Sequence, residues 1–192
     1  MACDEHCASP DVVASRRSFM AGLAGAAIAP GAAFAQLSGP GSDADVRFMH
    51  MAIEEARLGD FPFGAVIVRD GEVIARGRNL GRTTRDPTAH GEMVAIRQGL
   101  VDHGPAALRD STLYTSGESC AMCMGAIIWC HMGRLVFGAS IAQLATKIDQ
   151  IMLTDTEIAA KAQFAPISIT GGVLAEEAMA VYEIGAAFRS SR

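Results

Sequence analysis

Apolar positions along this chain recur with two different periods, and each change of period marks the start of a new element. From Asp45 to Leu58 the residues Val46, Met49, Ile53 and the Ala52/Ala56 pair return every three or four positions, the spacing of a helix with one buried stripe. Gly59 follows it, where a C′ glycine ends a helix by turning left-handed. Phe63 to Arg69 is almost continuously apolar and predicts a buried strand, Asp70-Gly71 a two-residue hairpin turn, and Glu72 to Arg78 the returning strand. After a polar loop from Gly81 to Pro87, Thr88 reads as the N-cap of a helix from about Ala89 to Val101. Leu113 to Thr115 predicts a central strand, and Ser116 to Ser119 a loop. A helix then follows with Ser119 as its cap and Cys120 and Cys123 in its first turn, continuing through Gly125 to His131. Leu135 to Gly138 comes directly after that helix, so it predicts a strand parallel to the Leu113 strand. Ile141 to Phe164 reads as helical, Ile167 to Thr170 as a short last strand, and Val173 to Phe188 as a closing amphipathic helix.

That order predicts an α/β fold, a three-layer α/β/α sandwich around a mixed five-stranded sheet. At 192 residues, half of them apolar and 19% charged, the chain is long enough for one domain with a real core. It shows no internal repeat and no Gly-rich phosphate loop. The first 35 residues have a different character. Arg16-Arg17 stands before Phe19 and a mild apolar run, and Ala33-Phe34-Ala35 fits an A-x-A cleavage pattern, so residues 1–35 resemble a twin-arginine export signal. The alternative is an unstructured extension on a cytoplasmic protein. The run from Phe19 to Ala35 holds Gly22, Gly25, Pro30 and Gly31 and falls short of the roughly twenty apolar residues of a membrane span. Residues 36–42 read as a Gly/Ser/Pro linker and 43–192 as the functional domain.

Charge narrows the partners. The formal net charge of −5 gives no electrostatic reason to expect nucleic acid or an anionic membrane surface, and removal of residues 1–35 would leave about −4. The five cysteines are an odd number, which argues against a disulfide framework. Cys3, His6 and Cys7 lie before the signal and would be lost with it. The chemistry gathers instead at His90-Gly91-Glu92 and Cys120-Ala121-Met122-Cys123. Alone, a CxxC pair fits a redox site or a structural zinc site equally well. With His90 it makes one imidazole and two thiolates, a set that selects zinc over magnesium or calcium. Three protein ligands leave a fourth position open, which marks a catalytic site, and Glu92 stands two residues from the imidazole, placed to carry protons. Cys130 reads as a buried small hydrophobe and His131 as a structural residue at a helix end.

The H-x-E…C-x-x-C arrangement resembles the zinc-dependent cytidine and deoxycytidylate deaminase superfamily. The similarity extends to Phe61-Pro62-Phe63-Gly64-Ala65-Val66-Ile67-Val68, Asp86-Pro87-Thr88-Ala89-His90, Leu113-Tyr114-Thr115-Ser116 and Met122 to Trp129, and covers about Asp43 to Ser140. Two positions depart from the family, which usually has proline where Ser119 stands and alanine where Gly91 stands. Neither replaces a ligand or the acid. The resemblance implies a cytidine deaminase-like fold, a Zn2+ cofactor and hydrolytic loss of ammonia from a free nucleobase or nucleoside. It implies that Asn79 hydrogen-bonds the substrate, although a turn-forming asparagine fits the same place. Backbone N–H groups from Glu118 to Cys120 are candidates to hold a polar atom of the reacting group. Trp129, expected to line the pocket wall, and the Phe-Pro-Phe-Gly run look most like guanine deaminases. The acidic-aromatic C-terminal segment typical of those enzymes is not recognisable. Adenosine deamination on tRNA, cytosine or adenine deamination, and a non-catalytic zinc or redox protein stay open as alternatives. Family members also imply a homodimer packed through the helices after the metal motif, with Ala126, Ile127, Met132 and the Leu144 to Leu153 region as the apolar surface.

Overall fold

The computed structural model describes residues 41–184. The first helix, α1 (Asp43–Leu58), begins at Ser42, whose hydroxyl accepts the Asp45 N–H at 3.2 Å while the Asp45 carboxylate accepts the Ser42 N–H at 2.8 Å. This reciprocal pair satisfies two of the N–H groups that a helix start leaves unpaired. Ser42, expected in the linker, is therefore the first fixed point of the domain. Asp45 also accepts hydrogen bonds from the Tyr114 hydroxyl at 2.9 Å and from Arg134 at 2.7 and 3.0 Å. Gly59 does not turn left-handed. Its φ is −80° and its ψ 160°, and a Cβ there would stand 2.6 Å from the Phe61 carbonyl oxygen and 3.1 Å from the Asn79 nitrogen. Glycine is required chiefly because the Phe61 carbonyl oxygen lies so close, with the Asn79 backbone next.

The sheet holds β1 (Gly64–Arg69), β2 (Glu72–Arg78), β3 (Thr112–Gly117), β4 (Arg134–Ala139) and β5 (Ser168–Thr170) in the order β2-β1-β3-β4-β5. β1 is antiparallel to β2 and β3, whereas β3, β4 and β5 run parallel. Asp70 and Gly71 both have positive φ, 51° and 80°, as a type I′ hairpin turn requires. Alternate strand residues serve two cores. Ile67, Leu113 and Leu135 pack with Ala95, Ile96, Met124 and Ile127 of α2 (Gly91–His103) and α4 (Ala121–Trp129). On the other face Val66, Tyr114 and Val136 pack with Met49 and Ile53 of α1 and with Ala178 and Val181 of α7 (Ala175–Ile184). The three-layer sandwich with a mixed five-stranded sheet is the observed fold.

Glycines set how closely α2 approaches the hairpin. A Cβ on Gly77 would overlap the Gly91 carbonyl and the Ala95 nitrogen, and one on Gly91 would lie 2.9 Å from the Phe63 carbonyl. Backbone thus touches backbone at the start of α2, which brings His90 and Glu92 to the end of the hairpin that carries Asn79.

Three boundaries differ from expectation. Thr88 does not cap α2. Its N–H and hydroxyl both donate to the Asp86 carboxylate, at 2.8 and 2.6 Å, and His90 is the N-cap residue. Cys120, not Ser119, is the N-cap residue of α4. Ile141 to Phe164 is not one helix but α5 (Ile141–Leu144) and α6 (Asp155–Ala159) with a non-helical stretch between them. Each starts at its own capping box, Ser140 with Gln143 and Thr154 with Glu157, and two such starts within fifteen residues interrupt a continuous helix. A further single turn, α3 (Pro105–Leu108), was not expected. The twin-arginine region 1–35, most of the linker and the end of the closing helix lie outside the described residues. Among the described residues no helix is long and apolar enough to cross a membrane.

Candidate active site and metal centre

Three ligand atoms meet where the first turns of α2 and α4 converge. His90 Nδ1 lies 3.6 Å from the sulfur of Cys120 and 3.6 Å from that of Cys123, and the two sulfurs are 3.6 Å apart. Tetrahedral zinc, at about 2.3 Å from sulfur and 2.0–2.1 Å from nitrogen, needs edges of about 3.8 Å between sulfurs and about 3.6 Å from sulfur to nitrogen. The donor set and its spacing fit that ion. The sulfurs stand well beyond the roughly 2.05 Å of a disulfide, as in a reduced pair, and it is His90 Nδ1 at 3.6 Å from both that marks the cluster as a ligand set. Among the described residues this is the one group of three His, Cys, Asp or Glu side chains with ligand atoms close enough to share a metal.

Local electrostatics favours ionised sulfur. Cys120 and Cys123 occupy the N-cap and first turn of α4, where unpaired N–H groups stabilise negative charge. The hydrogen bond from Cys123 does most to hold the Cys120 thiol down, to about 4, with His90 adding to it against the cost of burial. The same contact and burial push Cys123 up, so without a cation the pair shares one charge. The contact with Cys120 raises His90. The His90 ring lies parallel to Phe63, 7° between planes and 6.3 Å between centroids, and Tyr182 of α7 meets Phe63 edge-on at 5.3 Å.

Glu92, in the first turn of α2, is 3% exposed, and burial holds its carboxyl above the usual carboxylate range. Asn79 is 4% exposed and sits where β2 leaves the sheet. Its Oδ1 accepts the Gly81 N–H at 3.0 Å, so it does form a turn, and its amide nitrogen is the group it retains to offer a ligand. Trp129 is not brought to the cluster. It ends α4, 73% exposed, with its ring 5.0 Å from Phe164. Nine residues of helix carry it about 13 Å along the axis from Cys120. The backbone N–H groups expected to hold a reacting atom are partly taken, since Glu118 N–H bonds to the Ala139 carbonyl at 2.7 Å and Ser119 N–H to Asp155 at 3.1 Å. Cys130 is half-buried against the core, and His131 has φ 53° with its ring edge-on to Phe164.

Sequence reasoning missed Glu118 and Asp155, both buried beside the turn into Cys120. The capping box at Thr154 was the available signal, because it places Asp155 as the first residue of a helix.

Residues 42–139 match the family described as the cytidine and deoxycytidylate deaminase zinc-binding region. The tRNA-specific adenosine deaminase of Haemophilus influenzae is 38% identical over 147 residues, covering 71% of this chain and 79% of that protein. Guanine deaminase of Bacillus subtilis is 50% identical over 78 residues, covering 41% and 50%. A solved structure from a study of A-to-I editing by tRNA:A34 deaminases superposes with a TM-score of 0.62 at 30% identity, covering 70% of this chain and 98% of that one. The chain spans half the length of the guanine deaminase and 8% of the chloroplastic tRNA(adenine(34)) deaminase of Arabidopsis thaliana, which is 46% identical over 99 residues. With His90, Glu92, Cys120 and Cys123 all inside the matched region and three of them spaced for zinc, this chain belongs to the cytidine and deoxycytidylate deaminase family.

Proposed function

We propose that this protein is a zinc-dependent hydrolytic deaminase acting on a free purine base, converting guanine to xanthine and ammonia. The observation that carries the reading is the buried carboxyl of Glu92 in the same helical turn that presents His90 to Cys120 and Cys123. Zinc held by those three residues would supply the Lewis acidity that brings water into ionisation range at neutral pH. Glu92 takes one proton from the water and delivers it to a ring nitrogen as the oxygen adds to the ring carbon. It then takes the remaining hydroxyl proton and delivers it to the departing amine as the C–N bond breaks and the carbonyl forms, so one carboxyl serves as base and acid in turn. Its burial suits this, because desolvation raises its pKa and so favours the protonated form in which it acts as an acid. The Asn79 amide nitrogen donates to an acceptor on the base edge.

A free base is favoured by charge. A tRNA backbone is gripped by clustered Lys and Arg. Here the net charge is −5, the only lysines are Lys147 and Lys161, and α7 opens with Glu176 and Glu177. The relative from Bacillus subtilis is named a guanine deaminase. A second reading, adenosine deamination on tRNA, is favoured by the Haemophilus relative, of which this chain covers 79%. Ammonia release should be measured across guanine, adenine, cytosine, their nucleosides and a tRNA anticodon stem-loop, with metal content determined alongside. Guanine is expected to turn over fastest. Faster turnover of the stem-loop would establish the second reading, and thiol–disulfide exchange without ammonia release would defeat both.

Export completes the proposal. The Arg16-Arg17 pair and Ala33-Phe34-Ala35 motivate a periplasmic location, which would also separate the enzyme from tRNA. Arg16→Lys with Arg17→Lys should leave the full-length precursor in the cytoplasm. An unaltered protein found wholly cytoplasmic and uncleaved would remove the claim.

A further inference from the structure

The turn that leads into the metal ligands is tied to a helix 36 residues further on by a reciprocal pair of hydrogen bonds. The Ser119 N–H donates to Asp155 Oδ2 at 3.1 Å, and the Asp155 N–H donates to Glu118 Oε1 at 3.0 Å. Each segment thus satisfies a backbone donor of the other with a buried carboxyl. Glu118 reaches further with its second oxygen, accepting the Ile141 N–H at 2.7 Å. The carboxyls of Glu118 and Asp155 therefore tie the ends of β3 and α4 to the first residues of α5 and α6. Asp155 is fully buried, and none of the ion pairs among the described residues includes it. A solvent-excluded acid without a cation is costly to retain for packing alone.

A second observation points the same way. Among the described residues three buried side-chain polar atoms have no hydrogen-bond partner, and two of them, Ser119 Oγ and Asp155 Oδ1, belong to the two residues joined by this bond. Neither atom is open to water. Unpaired buried polar groups are rare in folded proteins, and a pair on one contact implies a site where packing has been subordinated to placement. Ser119 immediately precedes Cys120, so anchoring the Glu118–Ser119 peptide restricts where the backbone of Cys120 can sit.

We propose that Asp155 is a positioning residue for the zinc site, fixing the Ser119 peptide so that Cys120 is held at ligand distance from His90 and Cys123. The proposal rests on the zinc-site reading above. Its basis in this structure is the 3.1 Å bond, its reciprocal partner and the two unpaired atoms beside it. Groups that orient ligands from outside the coordination sphere typically change metal affinity 10- to 100-fold when removed.

The test is the rate of zinc release from the loaded protein into an excess of a chromogenic chelator, together with the thermal midpoint of each protein stripped of metal. Asp155→Ala is expected to release zinc about 10-fold faster or more. Asp155→Asn, which keeps an acceptor for the Ser119 N–H, is expected to stay within about 3-fold of wild type. Asp155→Leu removes the same acceptor while keeping a side chain close to aspartate in size, and it should match Asp155→Ala. Wild-type release from Asp155→Ala would overturn the proposal, as would faster release from Asp155→Asn equal to that of Asp155→Ala. If Asp155→Ala does not fold, Asp155→Leu decides alone, with faster release in support and an unchanged rate against. An unaltered protein that takes up no zinc would overturn the zinc-site reading itself, and that result is distinct from zinc bound and released at unchanged rates by all variants.

Discussion

Glu92 and His90 stand two residues apart yet are expected to fail in different ways when replaced. His90→Ala removes the only imidazole of the ligand set, and elemental analysis should find the protein without zinc. Glu92→Gln keeps the shape and the ligands, so zinc should remain bound while ammonia release falls by at least about 100-fold, the lower range of general acid–base catalysis. Activity near wild type would refute the proton-carrying role. Asn79 needs two variants because its Oδ1 already holds the Gly81 N–H. Asn79→Ala deletes that turn bond and the free donor together. A lost hydrogen bond of about 1–3 kcal/mol should lower kcat/KM by roughly 10- to 100-fold with zinc retained. Asn79→Asp keeps the turn acceptor and replaces the donor with a charged acceptor. It should be as impaired as Asn79→Ala, and recovery of activity in Asn79→Asp would reduce Asn79 to its turn.

At the scale of elements, the start of α2 sets two effects against each other. Helix propensity favours alanine over glycine at position 91 by about 1 kcal/mol. The structure reverses that preference, because a Cβ at Gly91 would press on backbone atoms, the Phe63 carbonyl at 2.9 Å and the Gly64 Cα at 3.0 Å, which cannot swing aside as a side chain can. Gly91→Ala should therefore lower stability by about 1–3 kcal/mol in urea unfolding, the usual cost of overpacking. A gain would show that α2 can shift without cost. The α1 anchor carries the acid sensitivity. Burial raises the Asp45 carboxyl, but Arg134, Ser42 and Tyr114 together pull it down further, to about 2. A folded pKa below the unfolded value of about 3.9 stabilises the protein above pH 4, and that contribution disappears as pH falls from about 4 to 2. The shift corresponds to roughly 2–3 kcal/mol. Asp45→Asn should lose about that much at pH 6 and match wild type near pH 2, read from urea midpoints at the two pH values.

At the scale of the whole molecule, the apolar surface differs in part from the one expected. Ile127, Met132 and Leu144, read as surplus for a dimer, are buried in the chain's own cores. Ile151, Met152 and Leu153, at the end of the expected 144–153 region, are exposed as anticipated, and Trp129 and Phe164 are also exposed and pack on each other. Large exposed aromatic and aliphatic side chains are the residues that association buries. A homodimer is expected by light scattering at micromolar concentration, and Trp129→Glu with Phe164→Glu should shift it to monomer with zinc content unchanged. A monomeric unaltered protein would end the dimer proposal.

The sequence alone determined the elements whose cause is local. Apolar residues every three or four positions specified α1, the Asp70-Gly71 pair specified the hairpin turn, and His90, Cys120 and Cys123 were readable as a zinc site because the donor types themselves select the ion. It failed where two local signals compete for the same residues, and where one segment's conformation depends on another distant in the chain. Thr88 looks like a cap until Asp86 takes its hydroxyl, and Gly91 like a flaw in a helix until the Phe63 carbonyl is found against it. Trp129 follows the metal motif in sequence, yet the length of α4 carries it away from the site. The 141–164 stretch was apolar enough for one helix, but two capping boxes divide it. Only tertiary packing then brings Asp155 to Ser119 across 36 residues, because no local periodicity records which backbone N–H a buried carboxyl will meet.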